Sequence, residues 1–329
     1  MLKTLTEDVI KSKINNILKN FDITCKEILI PRGEHFEKYL LRAYEKYQNI
    51  NTLVFHNSQR LLKDIYVPQT LVKENQFNGN IEIKKINEFP SKLVKKYKKL
   101  LITDTAGMGK STIMKRMFID VVDNCMKEIG IPIYIELNRL NENYGILEEI
   151  KESLKSLSSE FDNDLLLRLI QSGGFIFFLD GYDEISISHK EIITKDIQDF
   201  ILKAGGDNYY ILTSRPDVSL ASFGDFQSFK IAPLEKEEAF ELLKKYDLSN
   251  KKELSSKLIE LLNTGQYKTI DEYLQNPLLV SLLFTAYDYN RSIPFEKHRF
   301  YNVVFDAYFE KHDSLKPIKN RDKYSGLNY

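Results

Sequence analysis

The sequence predicts an α/β protein: a three-layer α/β/α core around a mainly parallel five-stranded sheet, with helical regions before and after it. From Leu100 onward, short apolar runs alternate with segments of helical length, which is the pattern of strand–helix–strand units in a parallel sheet. After Pro233 the short apolar runs stop and helical periodicity replaces them. Five strands are enough for a complete doubly wound domain.

Residues 1–62 are interpreted as an N-terminal helical module. A capping box of Thr4 and Glu7 predicts the start of a first helix, and the breakers Pro31 and Gly33 precede a second. The apolar residues at helical spacing are Ile10, Ile14, Ile17 and Phe21, then Phe36, Leu40, Ala43 and Tyr47. Residues 63–98 are interpreted as a linker that contains an extended piece at 64–68 and a polar loop at 75–80.

The predicted core spans residues 99–234. Its strands are expected at 100–103, 131–137, 175–179, 209–213 and 228–231, and its helices include 110–127 and 190–204. Residues 235–312 are expected to form a helical domain with an apolar stripe that includes Ala239, Leu242 and Leu243. The polar segment 313–329 ends without a closing element.

Composition narrows the function classes. Lysine plus arginine and aspartate plus glutamate number 47 each among 329 residues, so no overall field favours nucleic acid or an anionic membrane. Only Cys25 and Cys125 are present, which argues against a disulfide framework or thiolate zinc site and points to a reducing cytosol. No window approaches the roughly 20 apolar residues of a membrane span. A cytoplasmic protein without a membrane partner is expected.

Two further features are assigned no function. The lysines between Lys84 and Lys99 are interpreted as a solvated face, the alternative being a nucleic-acid patch. The five histidines show no spacing typical of metal ligands.

A candidate phosphate-binding loop follows the first core strand. Residues 104–112 read DTAGMGKST, close to the G-x-x-x-x-G-K-[ST] pattern in which a loop and a helix N-terminus present amides to phosphate. Gly107 and Gly109 would let the backbone approach the phosphates, Lys110 would reach the β and γ oxygens, and Ser111 would ligate Mg²⁺. The predicted nucleotide-binding residues are Thr105, Ala106, Gly107, Met108, Gly109, Lys110, Ser111 and Thr112. The alternative is a chance glycine-rich turn.

Asp104 departs from this pattern, because it stands where the first glycine is expected. Aspartate enters the positive-φ region more readily than most residues, so we expect the turn to survive at a cost of about 1 kcal/mol.

Acidic and basic residues follow two other apolar strands. Asp180, Asp183 and Glu184 follow the run FIFFL, and Arg215 follows ILTS. At the carboxyl ends of parallel strands these side chains should meet at the phosphate loop. Asp180 would hold Mg²⁺, while Asp183 and Glu184 are both candidates to orient or deprotonate the attacking water, and Arg215 to contact the γ-phosphate. Taken alone, each motif has a simpler interpretation: the acidic residues could form a polar turn, and Arg215 could be a surface cation.

The order of these motifs gives a specific resemblance. Asp180-Gly181-Tyr182-Asp183-Glu184, Thr213-Ser214-Arg215-Pro216 and Asn276-Pro277-Leu278-Leu279 resemble the Walker B, sensor 1 and helical-lid motifs of NACHT domains, in the STAND class of P-loop NTPases. The resemblance covers about residues 63–312. It implies an arginine strand between the lysine-loop and carboxylate strands, and a helical lid that closes over the nucleotide. It also implies that Pro277 lies near the nucleotide and that 66–68 packs near the base; for Pro277, a helix N1 proline is an equal alternative.

The family normally continues into a winged-helix domain and a sensor region, so 313–329 is interpreted as the start of a truncated winged-helix-like region. The resemblance implies a switch that binds ATP or ADP with Mg²⁺, hydrolyses slowly and self-associates, in antiphage defence or innate-immune-type signalling. Its sensed ligand and effector are not encoded in any motif. The alternatives are a scaffold with a vestigial nucleotide site, a constitutive metabolic ATPase, or an inert or regulatory truncated chain.

Overall fold

The computed structural model describes residues 7–24, 33–55, 59–74, 81–124, 126, 128–155, 163–247, 253–264, 268–293 and 299–304. They belong to two compact units, the first of Met1–Ile50 with Gln59–Pro233 and the second of Asn51–Ser58 with Leu234–Tyr329. Thr4, Cys25, Cys125, the predicted loop at 75–80 and all of 313–329 lie outside the described residues.

The first unit contains nine described strands. They are β1 (Asn49–Ile50), β2 (Arg60–Leu61), β3 (Thr70–Glu74), β4 (Ile81–Lys85), β5 (Lys99–Thr103), β6 (Ile131–Glu136), β7 (Phe175–Asp180), β8 (Tyr209–Ser214) and β9 (Gln227–Ile231). β1 and β2 pair alone, and the others form one sheet in the order β4-β3-β9-β5-β8-β7-β6. All pairs from β9 to β6 are parallel. The five predicted core strands are confirmed to within one residue, and the arginine strand β8 lies between β5 and β7 as the resemblance implied.

The sheet has seven strands, so the expectation of five was wrong. The two additional strands, β3 and β4, form an antiparallel pair that joins the edge of β9. Both lie within 63–98, the segment interpreted as a linker. Charged residues interrupt the apolar ones along these two strands, such as the half-buried Lys73 and Lys84, and Ile83 is 64% exposed at this edge of the sheet. The sequence of this pair therefore lacks the continuous apolar run of a buried parallel strand.

Eight α-helices of the first unit are described, besides short 3₁₀ segments. The α-helices are α1 (Glu7–Thr24), α2 (Gly33–Gln48), α3 (Leu62–Ile65), α4 (Ser91–Tyr97), α5 (Lys110–Asp123), α6 (Ile146–Leu154), α7 (Asn163–Gln171) and α8 (Lys190–Ala204). The α8 prediction is confirmed at both ends. Helix α5 ends at Asp123, earlier than the predicted residue 127, because the chain leaves helical geometry at Asn124 (ψ 5°).

The N-terminal helices pack on the core. Lys13 Nζ and Tyr44 OH both donate to Asp123 Oδ1 on α5, at 3.1 and 2.8 Å. The Tyr134 N–H on β6 donates to Tyr39 OH at 2.8 Å. Phe36, predicted on the apolar face, is fully buried against Phe175 with ring centroids 5.8 Å apart. Burial of such a side chain contributes about 1.5–3 kcal/mol, so α1 and α2 help to stabilise the sheet.

Asp120 on α5 makes stability depend on pH. Its carboxyl is buried, at 3% exposure, and burial raises its pKa to about 7, although the Arg116 guanidinium 2.8 Å away opposes the rise. A raised pKa means that the folded state binds a proton more tightly than the unfolded state. Protonation of Asp120 therefore stabilises the fold at low pH, and this stabilisation is lost as pH rises from about 4 to 7. The slope is at most about 1.4 kcal/mol per pH unit.

Asp120→Asn is therefore expected to flatten the decline in stability between pH 4 and 7. Denaturant unfolding across that range measures it. The exposed Asp271→Asn is the control for loss of a carboxylate. An unchanged slope in Asp120→Asn would contradict the assignment.

The described secondary structure of the second unit is helical. It consists of α9 (Lys236–Asp247), α10 (Leu254–Asn263), a 3₁₀ segment (Lys268–Gln275), α11 (Pro277–Asn290) and a helical piece at 299–304. Asn276 caps α11, because its Oδ1 accepts from the N–H groups of Leu278 and Leu279. Within the described ranges no helix is long and apolar enough to cross a membrane.

Candidate functional site

The glycine-rich loop connects β5 to α5. Gly107 and Gly109 have φ values of 82° and 90°, in the left-handed region that glycine adopts without strain. In the described part of the chain, the N–H groups of Gly107, Met108 and Gly109 have no hydrogen-bond acceptor. Consecutive unpaired amides at the N-terminus of a 14-residue helix are suited to an anion. Thr105 and Ala106 are exposed beside them, and Thr112 lies in the first turn of α5.

Lys110, the first residue of α5, folds back over this loop. Its Nζ donates to the carbonyl oxygens of Asp104 and Thr105 at 2.7 and 2.9 Å. Partial burial lowers the pKa of the Lys110 ammonium, whereas the carboxylates of Asp183 and Asp104 oppose that change. A cation therefore lies beside the amides that would receive an anion.

Asp180 ends β7 at the same edge of the sheet. Its Oδ1 accepts from Thr213 Oγ1 at 2.5 Å and Ser111 Oγ at 3.2 Å, and its Oδ2 accepts from Tyr134 OH at 2.7 Å. Thr213 also accepts from the Gly181 N–H at 2.9 Å, which ties β8 to β7. These contacts from β6, β8 and α5 fix the direction of the carboxylate.

Ser111 and Asp180 fit a magnesium ion. Mg²⁺ takes hard oxygen ligands and is held in nucleotide sites by one or two protein groups, with water and phosphate supplying the rest. A serine hydroxyl and a carboxylate oxygen 3.2 Å apart match that donor set. The described residues contain no cluster of three or more His, Cys, Asp or Glu that could hold a metal by protein groups alone.

Asp183 and Arg215 form a two-point contact. The backbone N–H of Arg215 donates to Asp183 Oδ1 at 2.9 Å, and the side-chain Nε of Arg215 lies 2.9 Å from Asp183 Oδ2. The Asp183 side chain is 14% exposed, while the Arg215 side chain is 57% exposed. The guanidinium therefore faces solvent at the end of β8, and both Asp183 oxygens are engaged.

Glu184 has one engaged oxygen. Its Oε2 accepts from Asn138 Nδ2 at 3.0 Å, and Asn138 lies in the 3₁₀ turn Leu137–Arg139 that follows β6. Burial raises the pKa of Glu184, and the negative charges of Asp180 and Asp183 raise it further. This carboxyl is poised for proton transfer closer to neutral pH than an ordinary glutamate.

The loop, Asp180, Asp183, Glu184 and Arg215 thus come together in the first unit. Pro277 lies in the second unit at the first position of α11, where proline is favoured, and its contact with nucleotide stays a prediction.

The backbone strain expected at Asp104 is not observed. Among the described non-glycine residues, only Lys98, Glu253 and Arg291 have positive φ. Asp104 therefore accommodates the turn without left-handed strain.

Sequence reasoning assigned no role to four residues that support the site: Tyr134, Asn138, Thr213 and Gln69. Asn138 and Thr213 could have been found, because each is polar at the carboxyl end of a parallel strand. Gln69 carries no sequence signal. It is 5% exposed, and its Nε2 donates to the Met108 carbonyl at 2.7 Å. A Cβ added at Gly109 would lie 2.5 Å from Gln69 Nε2, so a side chain at 109 would displace this contact.

Comparisons with known proteins add little. No protein-family model matches the chain, and no curated protein matches it. Among solved structures, C. elegans PCH-2 aligns over 89% of this chain and 73% of its own, at 11% identity and a TM-score of 0.30. A TM-score this low supports no inference about fold or function, so both rest on this chain's own residues.

Proposed function

We propose that this chain is an ATP-binding P-loop NTPase that hydrolyses slowly and acts as a nucleotide-dependent switch. The observation that carries the proposal is one cluster: unpaired loop amides and Lys110 after β5, Asp180 with Asp183 and Glu184 after β7, and Arg215 after β8. Three neighbouring parallel strands end in complementary groups for a polyphosphate and its cation. A chance glycine-rich turn does not require the other two strands to end in this way.

Each group has a role in this proposal. The amides of 107–109 and the Lys110 ammonium bind the phosphates, and Ser111 with Asp180 would hold Mg²⁺, which when bound neutralises phosphate charge. Arg215 is long and exposed enough to reach the terminal phosphate. Phosphoryl transfer needs mainly positioning and charge stabilisation, and this arrangement of side chains is suited to both.

Glu184 is the better candidate for the residue that accepts a proton from water. Asp183 uses both oxygens on Arg215, whereas Glu184 is held by Asn138 through one oxygen only. The raised pKa of Glu184 also suits this carboxylate to accept a proton. Asp183 is then a positioning residue for Arg215.

The switch rests on the sequence resemblance to NACHT domains of the STAND class. The motifs ending at Asp183-Glu184, at Arg215-Pro216 and at Asn276-Pro277 support it. In this reading Pro277 contacts the nucleotide, and ATP and ADP favour different arrangements of the helical region. Such a device needs unequal affinity for two states, because a ligand that binds both equally shifts nothing. Self-association in the ATP state and a role in antiphage defence or innate-immune-type signalling belong to the same proposal.

Magnesium dependence tests the site. Wild type is expected to bind ATP more tightly with Mg²⁺ than with a chelator. Ser111→Ala should lose most of that difference while keeping the magnesium-free affinity, since only a cation ligand is removed. Calorimetric titration measures both, and Ser228→Ala, an exposed serine on β9, is the matched control. Equal magnesium dependence in Ser111→Ala and wild type would contradict the assignment.

Size measurement tests the switch separately. Light scattering of the wild-type chain with Mg²⁺ and either ATP or ADP is expected to show larger particles with ATP. Nucleotide binding with no change in size would leave the NTPase and remove the oligomerisation switch.

A further inference from the structure

Asp104 is the one residue of the phosphate loop that departs from the glycine pattern, and its side chain makes contacts that glycine cannot. Asp104 Oδ1 accepts from Thr105 N at 2.7 Å and from Thr105 Oγ1 at 3.3 Å. Its Oδ2 accepts from the Ile231 N–H on β9 at 3.1 Å. Hydrogen bonds from amides to an ionised carboxylate are stronger than those between neutral groups.

The sheet register explains why a side chain is needed at this place. β5 and β9 run parallel, and their last paired residues are Thr103 and Lys230. Ile231 is the next residue of β9, but the chain after Thr103 turns away into the loop. The Asp104 carboxylate then supplies the acceptor for the Ile231 N–H beyond the end of the ladder. Ile231 is 3% exposed, so water is a poor substitute for that acceptor.

The Asp104 main chain is engaged as well. Its N–H donates to the Ser214 carbonyl at 3.3 Å, next to Arg215, and its own carbonyl accepts from Lys110 Nζ at 2.7 Å. The start of the loop is thereby joined to β8, β9 and the lysine. Because its oxygens are occupied by Thr105 and Ile231, the carboxylate leaves the amides of 107–109 available.

We propose that Asp104 is a positioning residue that fastens the phosphate loop to β9 and so keeps the loop shaped for phosphate. The hydrogen bond from Ile231 to Asp104 also joins the loop to the end of β9. β9 ends at Ile231, and the chain passes from the first unit to the second between Pro233 and Leu234. Asp104 therefore links the loop directly to the segment through which the chain leaves the core. The nucleotide part of this inference rests on the proposed function.

Two opposite effects make Asp104→Gly decisive. Glycine removes a negative charge near the phosphates, which by itself would tighten nucleotide binding. It also removes the attachment to β9, which would loosen the loop and weaken binding. We expect the loss of the attachment to dominate, because a loop that holds the competent shape only about a tenth of the time binds ADP with Mg²⁺ about tenfold more weakly. Asp225 is an exposed carboxylate before β9 that pairs with Lys99. Asp225→Asn is therefore the control for loss of a carboxylate elsewhere in the first unit.

The experiment combines calorimetry with hydrogen exchange on the full chain. Without nucleotide, the Ile231 amide of Asp104→Gly is expected to exchange about tenfold faster than in wild type and in Asp225→Asn. Unchanged exchange at Ile231, or ADP binding as tight as or tighter than wild type, would overturn the proposal. If wild type bound no nucleotide, the proposed function would fail, while exchange at Ile231 would still decide whether Asp104 holds the loop.

Discussion

Lys110→Ala is expected to weaken ATP and ADP binding roughly 10- to 100-fold, because a hydrogen bond between charged groups contributes about 1.5–3 kcal/mol. In the structure Lys110 Nζ is already held over the loop by two carbonyl oxygens, at 2.7 and 2.9 Å. Few rearrangements are then needed to receive phosphate. Alanine keeps the helix start, since it is a better helix former than lysine. Calorimetric titration with Mg²⁺ measures the loss.

Lys115→Ala is the matched control for this prediction. Lys115 lies on the same helix and is partly exposed, but it is not in the loop. The control should bind as wild type does, and thermal unfolding of both variants should match. Equal affinity in Lys110→Ala and wild type would remove Lys110 from the site. Failure of the wild type itself to bind nucleotide would favour the scaffold with a vestigial site.

Glu184→Gln is expected to lower ATP hydrolysis about 10²–10⁴-fold while leaving ATP affinity close to wild type, which is the effect of removing a general base. Glutamine keeps the length of the side chain and an oxygen that can accept from Asn138. Single-turnover hydrolysis and calorimetry on the same preparation separate the two quantities. Glu184→Gln therefore removes the group that accepts the proton, with little change in packing.

Asp183→Asn should give a different result. It removes the charge that holds the exposed Arg215 guanidinium, so both affinity and hydrolysis should fall moderately. Loss of hydrolysis in Asp183→Asn with retained hydrolysis in Glu184→Gln would reverse the assignment.

The pH profile gives a second test of Glu184. Burial and the carboxylates of Asp180 and Asp183 raise its pKa above the usual 4.5. A general base works only when deprotonated, so kcat should rise with pH through that elevated pKa and level off above it. Glu184→Gln should lose this rise. A profile of the same shape in the variant would assign the rise to another group.

Much of the core could be predicted because its signals are local. A buried parallel strand is apolar along its whole length, and residues 175–179 show this without ambiguity. The polar residues after such strands point to one edge of the sheet, which is why Lys110, Asp180 and Arg215 were expected together. The β3–β4 hairpin has no such apolar run, because the sequence of a strand at the edge of a sheet mixes charged and apolar residues and resembles that of a loop.

The sequence by itself determined the parallel core, the order of its strands along the chain, and the residue types at their carboxyl ends. These follow from hydrophobic periodicity and from the conformational demands of Gly107 and Gly109, which are properties of a few consecutive residues. Only the tertiary structure decided which partner each charged group takes. Asp183 pairs with Arg215, Glu184 with Asn138, and Asp104 with Ile231. Each of these contacts joins segments distant in sequence, and a hydrogen bond depends on angles and distances between them that no local pattern encodes.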